Sequence, residues 1–235
     1  MDLNGLRIVI TGASRGLGRA LAENLSSRGA RVALVARDAA ALDAVAQGIT
    51  ARGGTAHAVP GDVGDKGSAH PIASTALAAL GGVDVLVHNA SALGVERLVP
   101  LLDTECEDLE RALAVNLVGA HRLTRRFGAA MALQRSGLIV LVSSDAAVEA
   151  YPGWGAYGAA KAALDHYGRV LAAELAGAGV RVVSVDPGEM DTDLHAQAAP
   201  EADRATLADP RDVAARLADL IASPVRSGAR VSVAS

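Results

Sequence analysis

Several residue types are scarce in this sequence, and each scarcity excludes a class of protein. Cys106 is the only cysteine, and aromatic residues make up 2% of the chain. A lone cysteine excludes an intramolecular disulfide and a metal site built from cysteines, and it fits a reducing compartment. The sequence contains no run of about 18 apolar residues, the length that a membrane-spanning helix needs. Met1–Ile10 lacks the basic residues and the apolar run of a signal peptide. We therefore expect a cytoplasmic protein with no membrane partner and no metal.

The sequence also lacks an excess of one charge. It has 22 lysines and arginines against 26 aspartates and glutamates, and its formal net charge is −4. The basic residues are dispersed, so the chain lacks the positive patch that binds nucleic acid or anionic lipid. We expect a small molecule as its partner, and no nucleic acid.

Apolar residues, in contrast, are abundant at 51% of the chain, and they are arranged in a regular alternation. Short apolar runs alternate with longer segments of helical periodicity, which is the pattern of consecutive βαβ units. The predicted strands are Arg7–Ile10, Arg31–Ala36, Thr55–Val59, Val83–His88, Leu138–Val142, Val180–Val185 and Ala229–Val233. The predicted helices are Gly16–Arg28, a helix that begins at Asp38, Ser68–Leu80, Thr104–Gln134, Tyr157–Ala176 and Arg211–Ile221.

The predicted strands are apolar almost throughout, which indicates a parallel sheet that is covered on both faces. We therefore predict an α/β fold, a Rossmann-like doubly wound parallel sheet of about seven strands with helices on both faces. A chain of 235 residues fits one domain, residues 1–235. The least regular stretch, about 188–210, follows a strand, where long loops often close over a substrate. The alternative is a mobile surface connection.

A glycine-rich turn, TGASRGLG, lies between the first predicted strand and the first helix. Glycine lets the backbone approach a pyrophosphate, and a helix N-terminus supplies free N–H groups and the positive end of a dipole. The first βα turn of a doubly wound fold is the place where such a motif binds a dinucleotide. The alternative is a tight turn without a ligand. The predicted cofactor contacts in the turn are Gly12, Ser14, Arg15, Gly16, Leu17 and Gly18.

The Thr-Gly-x-x-x-Gly-x-Gly spacing of this turn resembles the short-chain dehydrogenase/reductase family, and the resemblance extends over essentially the whole chain. It implies that Asp62 and Val63, after the third strand, contact the adenine of the cofactor. The family's Asn-Asn-Ala-Gly after the fourth strand is HNAS here, so Asn89 and Ala90 are the matching positions. For His88 a strand-end histidine bonded to a neighbouring backbone is a better interpretation than a catalytic group.

The end of the second strand predicts which dinucleotide binds. Enzymes that prefer NAD have a carboxylate there for the ribose hydroxyl, whereas this chain has Ala36 followed by Arg37. Arg15 supplies a second guanidinium, and the resemblance associates both basic positions with NADP(H), because arginine binds phosphate through paired charged hydrogen bonds. We interpret Asp38 as the N-cap of the next helix. The cofactor is thus predicted to be NADP(H), the alternative being two solvated surface arginines.

A tyrosine and a lysine four residues apart, in YGAAK, are the predicted reacting pair. Tyr157 and Lys161 lie one turn apart on a helix that follows the strand LIVLVSS, at the edge where α/β sheets bind ligands. A tyrosine pKa of about 10 is too high for proton exchange near neutral pH, so a nearby ammonium is needed to stabilise the phenolate. The resemblance adds that Lys161 binds the nicotinamide ribose, which places both residues against the cofactor.

The resemblance implies two further catalytic residues. The family's serine stands thirteen residues before its tyrosine, which is Ser144 here, and it bonds the substrate carbonyl, whereas Ser143 ends the strand. Asn116, in AVNLVG, matches the family's asparagine, which holds a water that links the lysine to solvent. The alternative for Asn116 is an ordinary polar residue in a helix.

The stretch VDPGEMDT resembles the family's Pro-Gly-x-x-x-Thr, which makes Pro187, Gly188 and Thr192 nicotinamide contacts, while Asp186 replaces a frequent asparagine. The resemblance further implies a homodimer or homotetramer that forms through the helices containing Asn116 and Tyr157.

Together these residues predict an NADPH-dependent reductase of a small ketone, aldehyde or diketone, with Tyr157 as the general acid. The alternatives are a catalytically silent NADP(H) sensor of the same fold, an epimerase or dehydratase, and a nucleotide-independent interaction module. Trp154 either faces the substrate or packs under its helix, and His195 either contacts the substrate or lies at the surface. GWGAYGAAKAALD and DPGEMDTDLH resemble the sepiapterin reductases, but Ser232 stands where those enzymes have a pterin-binding aspartate.

Overall fold

In the computed structural model, which describes residues 2–234, the strands form one fully parallel sheet in the order β3-β2-β1-β4-β5-β6-β7. This confirms the predicted Rossmann-like α/β sheet of about seven strands. The strands are β1 Arg7–Thr11, β2 Arg31–Ala36, β3 Thr55–Pro60, β4 Val85–His88, β5 Gly137–Val142, β6 Val180–Asp186 and β7 Arg230–Ser232.

Helices cover both faces of this sheet. They are α1 Gly16–Ser27, α2 Ala39–Ala51, α3 Ala69–Leu80, α4 Cys106–Leu113, α5 Ala120–Gln134, α6 Gly155–Glu174, α7 Asp193–Ala198 and α8 Pro210–Ala222. Successive side chains of a strand point to opposite faces, so Ile8 and Ile10 pack in a core with α1, α2 and α8, whereas Val9 packs in a second core with α3 and α5. Among residues 2–234, no helix is both long enough and apolar enough to cross a membrane.

The strand order changes direction at β1: β2 and β3 lie on one side of it, and β4 to β7 lie on the other. This change of direction determines where the site lies. β1 pairs with β2 on one side and with β4 on the other, so that Ile8 lies opposite both Val32 and Val85. Ligands of open α/β sheets bind beyond the carboxyl ends of strands at such a switch point. The glycine-rich turn leaves β1 at this place, and Asn89 follows the end of β4.

Two predicted segments differ from the structure. The stretch 188–210 is more regular than predicted: it contains α7, a 3-10 turn at Arg204–Thr206, and a parallel bridge between Met190 and Ala208. The helix predicted at Thr104–Gln134 is α4 and α5, separated by a π-helical turn at Ala114–Gly119. In this turn the side-chain amide of Asn116 donates to the Ala112 carbonyl over 2.8 Å, which is the carbonyl that an α-helix pairs with the backbone four residues on.

Candidate active site

The glycine-rich turn is held close to the end of β4. Gly12 has φ +68, and a Cβ there would lie 2.8 Å from the Cα of Ala90. A Cβ on Gly18 would lie 2.3 Å from the carbonyl oxygen of Gly12, so α1 packs directly on the turn. Gly18 thus lies behind the turn, and its observed role is to allow this close packing.

Hydrogen bonds fix the turn to the neighbouring strand end. The Thr11 hydroxyl accepts from the backbone N–H groups of Asn89 and Ala90, each over 3.0 Å. The side-chain amide of Asn89 donates to the carbonyls of Thr11 and Gly12 over 2.9 and 3.2 Å. Asn89 therefore shapes the turn through its own amide, and Thr11 is a site residue that our residue-by-residue prediction omitted.

The turn offers donors for an anion. Helix α1 begins at Gly16 and has no side-chain cap, so the N–H groups of its first turn remain available. Such N–H groups, next to a backbone that glycine leaves uncovered, fit the pyrophosphate of a dinucleotide.

A cleft of about 860 Å³ extends from this turn to α6. It is lined by fifteen of the sixteen predicted cofactor contacts, all but Gly18: Gly12, Ser14, Arg15, Gly16, Leu17, Arg37, Asp62, Val63, Asn89, Ala90, Tyr157, Lys161, Pro187, Gly188 and Thr192. Of the predicted catalytic residues, Tyr157 and Lys161 line the cleft, whereas Ser144 and Asn116 are not among the lining residues and bond to two that are, Asp145 and Ser91.

The two predicted phosphate-binding arginines lie at the mouth of the cleft. Arg37 is exposed beside Ala36. Arg15 is exposed too, and its Nη1 lies 3.0 Å from Oδ2 of Asp193, at the start of α7. The Asp38 carboxylate accepts from the backbone N–H of Ala41 over 3.0 Å, which confirms its interpretation as the N-cap of α2.

Lys161 is buried one helical turn after Tyr157 on α6. Its Nζ donates to the carbonyl of Val142 over 2.8 Å and lies 5.5 Å from the centre of the Tyr157 ring. Burial lowers the pKa of Lys161 to about 8, although Asp165 one turn further on opposes this shift. The lysine therefore has a pKa near enough to neutral for proton exchange.

Tyr157 is buried as well, and burial raises its pKa to about 12. The nearby hydroxyls of Ser91 and Ser144 act in the opposite direction, and the carboxylates of Asp145 and Asp186 raise the pKa further. Burial is the largest of these effects, so the pKa of Tyr157 lies above its ordinary value of 10 and the predicted lowering is not found. At neutral pH the phenol carries its proton.

Ser91 is a second site residue that our prediction omitted. Its hydroxyl donates to Oδ1 of Asn116 over 2.8 Å, and it lies near enough to the phenol of Tyr157 to lower the pKa of that group. The signal was present in the sequence, because HNAS has a hydroxyl where the family pattern has glycine. The Asn116 amide also donates to the carbonyl of Ala92 over 2.7 Å, so Asn116 ties the π-helical turn to the segment after β4.

Ser144 lies beside the phenol, but its hydroxyl is engaged elsewhere. It donates to Oδ1 of Asp145 over 2.9 Å, while the Tyr151 hydroxyl donates to Oδ2 of the same carboxylate over 2.9 Å. Ser143 is buried, and its backbone N–H donates to the carbonyl of Val185 over 2.7 Å, as expected for a residue at a strand end.

The inner end of the cleft is mainly apolar. Trp154 lines it and contacts Tyr157 edge-on, with ring centres 5.7 Å apart. Of the two orientations that the sequence left open for Trp154, the structure has the one that faces the cleft. His195 also lines the cleft, and its Nε2 lies 3.7 Å from Oε1 of Glu189. Leu93 and Leu194 complete this wall.

Comparison with known proteins assigns this arrangement to a family. The family model described as short chain dehydrogenase matches residues 7–203. The chain belongs to the short-chain dehydrogenase family. A 3-oxoacyl-(acyl-carrier-protein) reductase from Synechocystis sp. is 37% identical over 187 residues, which are 79% of this chain and 74% of the relative.

Solved short-chain dehydrogenases have the same fold. A protein from Beutenbergia cavernae, provisionally assigned as an NAD(P)-dependent gluconate 5-dehydrogenase and holding NADP at low occupancy, has a TM-score of 0.90 and 34% identity, with 99% of this chain and 96% of that chain covered. A 3-ketoacyl-(acyl-carrier-protein) reductase from Brucella melitensis in complex with NADH has a TM-score of 0.89 and 29% identity, with 99% and 98% covered. The family neighbours thus bind either nicotinamide cofactor.

Some relatives are longer than this chain. A short chain dehydrogenase from Pseudocercospora fijiensis is 38% identical over 198 residues, which are 83% of this chain and 63% of the relative. The family model spans the turn after β1 and the Tyr157–Lys161 pair.

Proposed function

We propose that this short-chain dehydrogenase, as a single catalytic domain, reduces a small carbonyl compound with NADPH. The observation that supports this most strongly is the buried pair of Tyr157 and Lys161 facing a cleft that begins at a glycine-rich turn. The homo-oligomer implied by the family resemblance is part of the same proposal.

In this proposal the N-terminus of α1 and Gly12 hold the pyrophosphate, and Arg15 and Arg37 hold the phosphate on the adenosine ribose. Asp62 and Val63 lie beside the adenine. Lys161, Pro187, Gly188 and Thr192 position the nicotinamide, which supplies the hydride when it is bound.

Tyr157 acts on the substrate oxygen. Because burial raises its pKa to about 12, the phenol is protonated at neutral pH and can give its proton to the oxygen of a carbonyl that is being reduced. In the reverse reaction the phenolate is the general base. Ser144 donates a hydrogen bond to the same oxygen, and Lys161, whose pKa is about 8, returns a proton to the tyrosine and regains one from solvent through the water that the family resemblance assigns to Asn116.

The proposal is tested by following NADPH oxidation with aliphatic ketones, aromatic aldehydes, diketones, quinones, steroids and sepiapterin. Tyr157→Phe is expected to lower kcat by about a hundredfold to ten-thousandfold, the usual contribution of a general acid, with NADPH binding nearly intact. Ser144→Ala should lower kcat more than Ser143→Ala does. Tight NADPH binding with no turnover of any carbonyl would instead favour a sensor, and activity confined to steroids would contradict the small-substrate proposal.

A further inference from the structure

The carboxylate of Asp145 lies at the substrate end of the cleft, directly after Ser144. Its Oδ1 accepts from the Ser144 hydroxyl over 2.9 Å and from the backbone N–H of Ala146 over 2.8 Å. Its Oδ2 accepts from the Tyr151 hydroxyl over 2.9 Å. Asp145, Ala146 and Tyr151 all line the cleft. An ionised carboxylate can only accept hydrogen bonds, so this corner of the site requires donors.

The charge of the surrounding segments is one-sided. Segments 91–95, 145–161 and 187–198 form the wall around Tyr157, and Lys161 is their only lysine or arginine. Asp145, Glu189 and Asp193 from these segments line the cleft, and of these Asp193 is paired with Arg15. The two lining arginines, Arg15 and Arg37, belong to the turn after β1 and the end of β2. A negatively charged group beside the reacting carbonyl would therefore meet carboxylates with no guanidinium to pair with.

Substrate binding changes the balance at Asp145. When a carbonyl oxygen takes the hydrogen bond of the Ser144 hydroxyl, that hydroxyl leaves Oδ1 of Asp145. A charged acceptor is then one donor short, in a site from which the substrate excludes water, and such a loss is costly. A hydroxyl on the carbon next to the carbonyl is a donor that can replace the one Asp145 has lost.

We propose that Asp145 is a specificity-determining residue that selects carbonyl compounds with a hydroxyl on the adjacent carbon. This inference rests on the proposed reductase function and narrows its substrate to hydroxy ketones and hydroxy aldehydes. A diketone presents an acceptor to the carboxylate, a simple ketone presents no polar group, and a 2-oxo acid presents a second negative charge.

Four compounds with the same four-carbon skeleton separate these cases: 3-hydroxybutan-2-one, butane-2,3-dione, butan-2-one and 2-oxobutanoate. With NADPH, the hydroxy ketone is expected to have the highest kcat/KM. Asp145→Asn keeps the shape but adds a donor and removes the charge. It should lower the ratio of kcat/KM for the hydroxy ketone to that for the dione by about tenfold to a hundredfold, the range for one hydrogen bond to a charged acceptor. Most of the change should be in KM.

Two further variants serve as controls. Glu149→Gln removes an exposed carboxylate of the same segment, outside the cleft lining, and should leave the ratio unchanged. Tyr151→Phe removes one donor to Asp145 without changing its charge, and the preference for the hydroxy ketone should persist. If Asp145→Asn folds poorly, which circular dichroism would reveal, the comparison of the four compounds with the unmodified enzyme still tests the inference.

The outcomes separate the inference from the function on which it rests. If the enzyme reduces the dione or butan-2-one as well as the hydroxy ketone, or if Asp145→Asn lowers all four activities equally, the inference is wrong and the reductase function stands. If NADPH binds but no carbonyl compound of this set or of the wider panel is reduced, both are wrong.

Discussion

Arg230 donates a hydrogen bond from Nη2 to the carboxylate of Asp186 over 3.2 Å, which joins the last strand to the end of β6 beneath the active site. The same Nη2 donates to the backbone carbonyl of Ser144 over 2.8 Å, and Nε donates to the buried carboxylate of Asp165 over 3.1 Å. Asp165 in turn acts on Lys161, and Asp186 acts on Tyr157. The positive charges of Arg230 and Lys161 thus offset the negative charges of Asp165 and Asp186.

Removal of Arg230 should therefore change the electrostatic environment of Tyr157 and Lys161 without removing any contact to the substrate. In Arg230→Met the carboxylate of Asp186 loses its cation and acts more strongly on Tyr157, which raises the pKa of the phenol. In the alcohol-oxidising direction, which needs the phenolate, the rise of kcat with pH should therefore shift toward higher pH. The free energy of unfolding should fall by about 3–5 kcal/mol.

The compensating variant is Asp186→Asn, which gives this position the amide that the family often has. Alone, it should shift the pH profile downward, and in the double variant with Arg230→Met it should restore the profile of the unmodified enzyme. Parallel losses of stability with no movement of the pH profile in any of the three variants would mean that Arg230 is structural only.

The sequence predicted this part of the molecule unevenly. The order of strands and the place of Tyr157 follow from apolar periodicity and from one helical turn, which are local properties. Arg230 and Asp165 are 65 residues apart, and nothing local pairs them, so the network under the site could not be read from the chain. Ser91 is a different case. Its replacement of glycine in HNAS was visible in the sequence, but the orientation of its side chain toward Tyr157 and Asn116 was not.

The π-helical turn at Asn116 and the hydrogen-bond partner of Asp145 could not be predicted from the sequence either. A polar residue within a helical pattern does not reveal that its amide takes a main-chain carbonyl of the preceding turn. Likewise, Ser144 could be placed by its distance from Tyr157 along the chain, but its bond to Asp145 depends on a rotamer. Local pattern thus predicts which residues come together, and packing decides which atoms meet.

The cofactor preference depends on two arginines in different situations. Arg37 is exposed at the end of β2, so Arg37→Ala should lower the preference for NADPH over NADH by about tenfold to a hundredfold, the loss of one charged phosphate contact. Arg15 can bind the phosphate only after its ion pair with Asp193 has broken. An exposed pair of this kind contributes about 0–1 kcal/mol, so Asp193→Asn should change the KM for NADPH by no more than about fivefold.

Arg19→Ala is the matched control, because Arg19 is an exposed arginine of α1 that pairs with Glu23 and does not line the cleft. The measurement is kcat/KM for both cofactors with one saturating substrate. Equal values for NADPH and NADH in the unmodified enzyme would contradict the preference for NADP(H).

His88 is expected to make the fold sensitive to acid. It is buried at the end of β4, and its Nε2 lies 2.9 Å from the hydroxyl of Thr124, so its partner is a side chain and not the backbone that we predicted. Burial lowers its pKa from 6.5 to about 3. The contribution of the neutral ring to stability is therefore complete above pH 6.5 and is lost as the pH falls toward 3, because the unfolded chain takes up a proton that the folded chain refuses.

His88→Gln, whose amide reaches about as far as Nε2, removes this titration. Between pH 7 and pH 4.5 the unmodified protein should lose about 2–3 kcal/mol of unfolding free energy more than the variant does, from about 1.4 kcal/mol per pH unit. Urea unfolding at the two pH values measures the difference, with exposed His70→Gln as the control. If the unmodified protein and His88→Gln lost stability in parallel as the pH fell, the buried ring would have to accept its proton in the folded state, and some other group would account for the acid sensitivity.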